Sequence, residues 1–281
     1  MAIKKVSITF LTLPFGKFLA IVMNLSFSTT EITSGHLASD APLHYRLLFA
    51  YKAAAECLEG GKLLEVGCGI GRGLPYLLPK VDAYWAIDKN RQLLEALQAQ
   101  YPQATFISGQ VPPLSQIPDN SFDYVLSFQV IEHIPNDRLF IRELHRVLKP
   151  GGTLILTTPN RLRSLTRNPW HIREYTATEL TQLLQSFFTE VKMQGVGGNE
   201  KVEQYQAANA ASVAKWKRWD VFNLEYRLPR WMLRLPYEIL NRLNRNQLMQ
   251  KESAARNITL DDYLLVKDMR RALDLFVTAK K

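Results

Sequence analysis

Five apolar segments between residues 63 and 158 most constrain the fold of this chain. Most are continuous apolar runs, which is typical of parallel strands that are covered on both faces. Helical patterns lie between them, and this alternation predicts a doubly wound α/β sheet. The predicted strands are LLEVG (63–67), YWAID (84–88), TFISG (105–109), DYVLSF (123–128) and TLILTT (153–158).

The helical patterns have recognisable starting residues. Asp40 is a suitable cap for the first helix, and Asn136 for the third. Thr176 and Glu179 have the spacing of a capping box at the start of the fourth. The predicted helices span residues 42–58, 91–101, 136–148 and 176–187.

After Asn160 the alternation becomes less regular. We expect one more strand over 190–196, followed by a basic, aromatic and mostly helical region over 205–250. A helix in that region is predicted to start at Pro236, because proline suits the first helical position. The sequence therefore predicts an N-terminal extension (1–40), an α/β core (41–200) and a C-terminal helical cap on the edge of the sheet (201–281).

Composition and charge leave several partner classes open. The chain has 281 residues, of which 47% are hydrophobic and 22% charged, as in an ordinary globular protein. The net charge of +9 favours acidic partners such as phosphates, anionic lipid or nucleic acid, without selecting among them. Cys57 and Cys68 are the only cysteines. They are too few for a disulfide framework, so we expect a reducing, cytoplasmic compartment.

The N-terminal extension contains two apolar runs, VSITFLTLPFG and FLAIVMNLSF. Pro14, Gly16 and Lys17 interrupt them before they reach the roughly 18 apolar residues that a membrane span needs. No small-residue cleavage site follows. Three interpretations stay open: a poorly ordered or misassigned extension, a segment at the membrane surface or packed on the protein, and a targeting signal.

A glycine-rich loop and an acidic residue point to a nucleoside-containing ligand. The loop, LLEVGCGIGRG, follows the first strand and precedes a helix, so its backbone N–H groups can approach a ligand. Asp88 ends the second strand, where a carboxylate can accept hydrogen bonds from both hydroxyls of a ribose. The dinucleotide fingerprint requires glycine at position 72, but Arg72 stands there. An NAD-dependent enzyme is therefore disfavoured.

Four motifs in order resemble the class I S-adenosylmethionine-dependent methyltransferases, and most closely the small-molecule group called type 11. The resemblance covers about residues 42–196 and implies a mostly parallel sheet of seven strands with the last one antiparallel. It also implies S-adenosyl-L-methionine as cofactor. The motifs are EVGCGIG (65–71), Asp88, FDYVLSFQVIEHI (122–134) and LHRVLKPGGTLILTTPN (144–160).

The same resemblance implies a set of cofactor-binding residues. Asp88 would hold the ribose, and the glycine loop and the end of the fourth strand would contact the methionine moiety. The acidic residue that commonly meets the adenine is replaced by Gln110, whose side chain can accept the same hydrogen bond without a charge, and the backbone of Val111 is the alternative. The full set is Glu65, Gly67, Cys68, Gly69, Gly71, Asp88, Gln110, Val111, Phe128 and Gln129.

Two histidines are candidates for acid–base chemistry at the carboxyl ends of the strands. A hydroxyl acceptor needs a base, and histidine is the usual choice near neutral pH. His133 is either that base or a structural part of its Glu-His pair. His171 either contacts the acceptor or packs a loop. No group of His, Cys or Asp shows the spacing of metal ligands along the chain, so we expect no bound metal.

The segment RNPWHIREYTATEL (167–180) follows the fifth strand and is similar to the segment that lines the acceptor pocket in type 11 relatives. Trp170 and Tyr175 are predicted to wall the acceptor, and Arg173 to pair with an acidic group on it. The leading prediction is methyl transfer to a small-molecule, glycan-linked or lipid-linked acceptor, at oxygen.

The basic region 205–250 allows three interpretations. It is a cap with a solvated basic face, a surface for the inner face of a membrane or a lipid-linked substrate, or a nucleic-acid contact. No recognised RNA-binding module accompanies it. Two further functions therefore stay open: a non-catalytic protein that keeps the cofactor fold and docks on membranes, and a nucleic-acid methyltransferase.

Overall fold

The computed structural model describes residues 38–218, 220, 222–251 and 256–281. The predictions for residues 1–37, including the targeting signal, lie outside the described residues. Among the residues that the structure describes, every helix is too short or too polar to cross a bilayer.

Eight strands form one sheet in the order β3-β2-β1-β4-β5-β8-β6-β7. Strands β1 to β5 pair with one another in parallel. Strand β8 runs antiparallel to both β5 and β6, and β7 runs antiparallel to β6. The strands are β1 (Lys62–Val66), β2 (Ala83–Asp88), β3 (Thr105–Ser108), β4 (Phe122–Phe128), β5 (Leu148–Pro159), β6 (Glu190–Gly198), β7 (Tyr263–Val266) and β8 (Asp274–Lys280).

Helices cover both faces of the sheet, as the alternation predicts. Successive residues of β1 enter different cores: Leu63 belongs to one apolar cluster, and Leu64 and Val66 belong to the other. All three are fully buried. The prediction of a doubly wound, mostly parallel sheet is confirmed. The helices are α1 (Ala41–Ala55), α2 (Leu74–Leu77), α3 (Arg91–Gln100), α4 (Asp137–Val147), α5 (Ala177–Gln185), α6 (Glu200–Lys217), α7 (Leu224–Arg227) and α8 (Arg230–Lys251).

Two of the three predicted helix caps are present. The Asn136 side chain accepts a hydrogen bond from the backbone of Leu139, and Thr176 and Glu179 form a complete capping box. Asp40 precedes α1 but makes no side-chain cap. Its buried carboxylate instead pairs with Arg242 and Arg245 of α8, at 3.1 and 3.0 Å.

The structure corrects two details of the predicted topology. The sheet has eight strands rather than seven, because the short strand β7 pairs with the outer edge of β6. The helical region is not C-terminal: α6, α7 and α8 lie between β6 and β7, and β8 then returns to the middle of the sheet. We call residues 199–251 the helical insert.

A third correction concerns Pro236. This residue lies inside α8, which begins at Arg230, rather than at the start of the helix. Pro229, directly before Arg230, marks the boundary instead.

Candidate functional site

The glycine loop forms the turn from β1 to α2. Gly67, Gly69 and Gly71 have φ values of +86°, +52° and +72°, a region that residues with a Cβ rarely adopt. A Cβ at Gly67 would overlap the side chain of Val130. A Cβ at Gly69 would meet no atom within 4 Å, so the backbone at Gly69 borders open space. The loop therefore presents bare backbone to a ligand.

Asp88 fixes this loop to the end of β2. Its Oδ2 accepts a hydrogen bond from the Gly69 backbone at 2.9 Å, and its Oδ1 accepts one from the Asn90 backbone at 2.9 Å. Each carboxylate oxygen has two lone pairs, so each keeps one for a ligand. The carboxylate is thus oriented by the protein and can still accept two ligand hydroxyls.

A cavity of about 410 Å³ lies against the loop and Asp88. This volume is within the usual range for small-molecule sites. We call it the glycine-loop cavity. The cavity is also lined by four residues that the sequence motifs do not indicate: Tyr51, Lys89, Asn90 and Thr157. Lys89 and Asn90 could have been predicted, because they directly follow Asp88 in the sequence. The predicted cofactor residues on its wall are Gly67, Cys68, Gly69, Asp88, Gln110, Val111, Phe128 and Gln129.

Glu65 and Gly71 lie behind the wall rather than on it, which corrects the expectation of direct contact. The Glu65 carboxylate is buried and accepts hydrogen bonds from the hydroxyls of Tyr51, at 2.6 Å, and Tyr84. Burial raises the pKa of Glu65. A Cβ at Gly71 would overlap the side chains of Leu74 and Leu97. Both residues therefore support the loop from inside the core.

A second cavity of about 280 Å³ adjoins the first, and we call it the cleft cavity. Leu47, Gln129 and His133 line both cavities. Gln129 has a φ of +57°, a conformation that costs a non-glycine residue about 1–3 kcal/mol and is found mostly at functional sites. Its backbone N–H donates to the Thr157 carbonyl at 2.9 Å, which holds this conformation. The two cavities meet at the carboxyl ends of β4 and β5, where open α/β sheets bind ligands.

Both candidate histidines line the cleft cavity. The two rings pack edge to face with centroids 5.1 Å apart. His133 Nδ1 lies 3.0 Å from the Trp170 carbonyl oxygen. His171 Nδ1 lies 2.6 Å from Glu174 Oε1, and its Nε2 lies 2.8 Å from the side-chain nitrogen of Asn168. Because a carbonyl and a carboxylate only accept, we assign the proton to Nδ1 in both rings.

Glu132 lies beside these histidines and is only 1% exposed. Its Oε2 accepts a hydrogen bond from the Thr158 hydroxyl at 3.0 Å. Burial raises the pKa of Glu132 to about 7, and the nearby His171 partly opposes this rise.

The expectation that no metal is bound rests on spacing along the chain, whereas the folded structure brings three potential metal ligands together. Ligand atoms of Glu132, His133 and His171 all lie within 4.8 Å of one another. The fold brings them together from two segments, so spacing along the chain did not reveal them.

Of the three predicted acceptor contacts, only Trp170 lines the cleft cavity. Arg173 forms an ion pair with Asp137 and donates to the Pro135 carbonyl at 2.9 Å. The buried Tyr175 donates its hydroxyl to Asp137 at 3.0 Å. The expectation of acceptor contact is therefore corrected for Arg173 and Tyr175, because both anchor the segment to the first turn of α4.

Comparison with known proteins agrees with this geometry. Residues 64–156 match the family model described as a methyltransferase domain. A protein of Mycolicibacterium smegmatis, named as a probable S-adenosylmethionine-dependent methyltransferase, is 35% identical over 169 residues, which cover 58% of this chain and 65% of that protein. The phthiotriol/phenolphthiotriol dimycocerosates methyltransferase of Mycobacterium tuberculosis is 30% identical over 172 residues, which cover 58% of this chain and 61% of that protein. The chain thus spans less than two thirds of these curated relatives.

Solved structures agree in fold. A methyltransferase of Thermotoga maritima, titled as a possible histamine N-methyltransferase, has a TM-score of 0.53 at 16% identity and covers 85% of this chain and 91% of its own. The [4+2]-cyclase SpnF has a TM-score of 0.51 at 18% identity and covers 84% of this chain and 81% of its own. At such identities the likeness concerns the fold alone.

The residues of the glycine-loop cavity fit S-adenosyl-L-methionine, the cofactor named for the sequence relatives. Asp88 offers two oriented acceptors for ribose hydroxyls, and the open backbone at Gly69 allows close approach. Arg72 stands where the dinucleotide fingerprint has glycine.

Proposed function

We propose that this chain, whose residues 64–156 form a class I S-adenosylmethionine-dependent methyltransferase domain, transfers a methyl group to a hydroxyl of an acceptor bound in the cleft cavity. One observation carries the proposal: the glycine-loop cavity and the cleft cavity meet at Gln129 and His133. A cofactor bound in the first cavity would therefore lie next to an acceptor bound in the second.

When bound, S-adenosylmethionine supplies an electrophilic methyl group on its sulfonium. The chain contributes binding and orientation. Asp88 holds the ribose, and Gly69 lets the loop backbone approach the cofactor. Phe128 and Gln129 border the junction of the two cavities, where the reacting atoms would meet. Correct positioning of two reactants can account for about 7–11 kcal/mol of the barrier.

The polar wall of the cleft cavity supports an oxygen acceptor. A hydroxyl acceptor must lose its proton, and His171 would be the base that takes it. The Glu174 carboxylate orients the His171 ring by accepting a hydrogen bond from its Nδ1. A histidine oriented by a carboxylate is the usual form of a general base. Arg46, Arg163 and Arg245 also line the cavity and suit the hydroxyls of a glycan or polar head group.

The helical insert supports a lipid-linked acceptor. Phe222 and Trp231 are 67% and 70% exposed on an insert that also carries many arginines, a mixture that suits an anionic membrane surface. Arg230 donates to the Ile172 carbonyl at 2.7 Å, and Arg234 stacks on Trp170 at 4.1 Å. The exposed Trp231 thus belongs to the helix whose arginines contact the segment 167–180. The relative named for phthiotriol dimycocerosates is a lipid-related methyltransferase and points to the same acceptor class.

The test incubates the protein with cofactor labelled in the methyl group and with separate lipid, glycan and RNA fractions of a cell extract. We expect label in the lipid or glycan fraction, in a product that resists mild alkali as an ether does. His171→Ala should lower turnover and leave cofactor affinity unchanged. His145→Ala is the matched control, because His145 lies in the last turn of α4, packs on Phe188 and lines neither cavity. Label in RNA instead, or no label from folded protein that binds cofactor, would overturn the proposal.

Membrane contact has its own test with vesicles of neutral lipid, with and without anionic lipid. We expect sedimentation with the anionic vesicles, weakened by Trp231→Glu. Leu264→Glu, at an exposed apolar residue of β7 outside the insert, is the control and should bind as the unmodified protein does. Equal loss in both variants would contradict a surface centred on the insert.

A further inference from the structure

Glu132, His133 and His171 form a cluster that the fold assembles from two segments. Glu132 and His133 follow β4, and His171 follows β5. The segments are joined by the Ile172 backbone N–H, which donates to the Glu132 carbonyl at 2.7 Å, and by the contact of His133 Nδ1 with the Trp170 carbonyl. The three side chains are therefore placed before any ligand arrives.

The surroundings of both imidazoles match those of metal-binding histidines. Such a histidine usually donates one ring N–H to a carbonyl or carboxylate, which fixes the other nitrogen for the metal. Here the Nδ1 acceptors are the Trp170 carbonyl at 3.0 Å and the Glu174 carboxylate at 2.6 Å. The Ser164 hydroxyl in turn donates to Glu174. In both rings Nε2 is then the nitrogen for a metal, and at His171 the ion would displace the Asn168 amide.

Burial and charge also favour a cation in this place. Glu132 is almost fully buried on the wall of the cleft cavity, and Glu174 lies nearby. Buried carboxylates are stable only when they are paired, hydrogen-bonded or bound to metal. Glu132 accepts a hydrogen bond from the neutral Thr158 hydroxyl, and Glu174 accepts hydrogen bonds from His171 and Ser164. A bound cation would place a positive charge beside both carboxylates.

We infer that Glu132, His133 and His171 bind one divalent transition-metal ion, with open coordination positions that face the cleft cavity. Two imidazoles and one carboxylate suit Zn²⁺, Co²⁺, Ni²⁺, Mn²⁺ or Fe²⁺, whereas Mg²⁺ and Ca²⁺ prefer oxygen ligands throughout. Three protein ligands with an open position are typical of catalytic sites.

This inference rests on the proposed function and specifies its acceptor. The ion would take a hydroxyl oxygen of the acceptor as a further ligand and lower the pKa of that hydroxyl. Its proton then passes to bulk water, and an oxygen lone pair forms the new C–O bond as the C–S bond breaks and leaves its electron pair on sulfur. In this arrangement His133 and His171 act as ligands rather than as the base.

The experiment strips the full-length protein with chelator and titrates it with Co²⁺ and Zn²⁺. We expect one ion per chain, a visible absorption spectrum for bound Co²⁺, and a rise in melting temperature with Zn²⁺. His171→Ala and Glu132→Gln should weaken binding at least a hundredfold, and the His145→Ala control should bind as the unmodified protein does. His171→Ala covers the case that substitution of the more buried Glu132 prevents folding.

The outcomes separate this inference from the proposed function. Absence of binding to folded protein, or equal binding by His171→Ala, would overturn the metal site. Methyl transfer that survives chelation but is lost in His171→Ala would also overturn it, and would keep the proposed function with His171 as base. One bound ion without methyl transfer to any fraction would support the metal site and overturn the proposed function.

Discussion

Substitution of Asp88 by alanine tests the cofactor site most directly. The carboxylate accepts backbone hydrogen bonds from Gly69 and Asn90, both at 2.9 Å, and keeps one lone pair on each oxygen for a ribose hydroxyl. Asp88→Ala removes both ribose acceptors. It also releases the Gly69 N–H, which loosens the loop against which the cofactor packs.

The expected loss follows from those two bonds. A hydrogen bond to a charged group contributes about 1.5–3 kcal/mol, so two contribute about 3–6 kcal/mol. Each 1.4 kcal/mol is about a tenfold change in Kd. We therefore expect Asp88→Ala to weaken the binding of S-adenosylmethionine by at least about a hundredfold.

Calorimetry with S-adenosylmethionine and with its demethylated product measures the effect. Both ligands contain the ribose, so the loss should be the same for both. Asp82→Ala is the matched control, because Asp82 also accepts from a glycine backbone, that of Gly61 at 2.7 Å, but at the opposite end of β2. If Asp88→Ala folds normally and binds within threefold of the unmodified protein, Asp88 does not hold the ribose.

Three further changes probe the framework of the site. Gly67→Ala should lower both stability and cofactor affinity, because its Cβ would overlap Val130 and the residue has a φ of +86°; thermal melting and calorimetry measure both. Asp262→Asn should destabilise the fold by about 1–3 kcal/mol at pH 7. Lys201 and other donors lower the pKa of Asp262 to about 2 from 3.8, so its contribution is present above pH 4 and is lost as the pH falls through 2. Denaturant titrations at both pH values check this. The difference in the free energy of unfolding between the unmodified protein and Asp262→Asn should be smaller at pH 2 than at pH 7. Asp40→Ala should lower the free energy of unfolding by about 3–5 kcal/mol, measured in denaturant, because it removes a buried carboxylate that pairs with two arginines of α8.

The parts of the fold that the sequence predicts are those encoded over a few residues. The apolar run around Leu64 and Val66 indicates a strand covered on both faces, and each residue lies in the core. Thr176 and Glu179 form the expected capping box because the motif needs only four consecutive positions. The glycine loop and Asp88 are predictable for the same reason, since a turn and the end of the adjacent strand form this wall of the glycine-loop cavity.

The order of the distant strands is not encoded in that way. Strand β8 inserts between β5 and β6, and its register places Asp274 opposite Pro159. No local pattern specifies a partner so far along the chain. Pro236 shows the same limit: proline favours the first turn of a helix, yet here the helix continues on both sides of it.

The segment 167–180 shows why residue types alone could not separate the roles of its side chains. Trp170 and His171 line the cleft cavity, whereas Arg173 and Tyr175, only a few residues later, bind Asp137. Asp137 lies in the first turn of α4, where a carboxylate is favourable, and it is this helix start that draws the arginine and the tyrosine away from the cavity. Next to these anchors, the backbone N–H groups of Ile172 and Arg173 donate to the Glu132 carbonyl, and His171 lies within reach of the Glu132 side chain. Arg173 and Tyr175 therefore help to hold the segment that carries His171, and any effect of these two residues on the chemistry would come from position rather than from contact with the substrate.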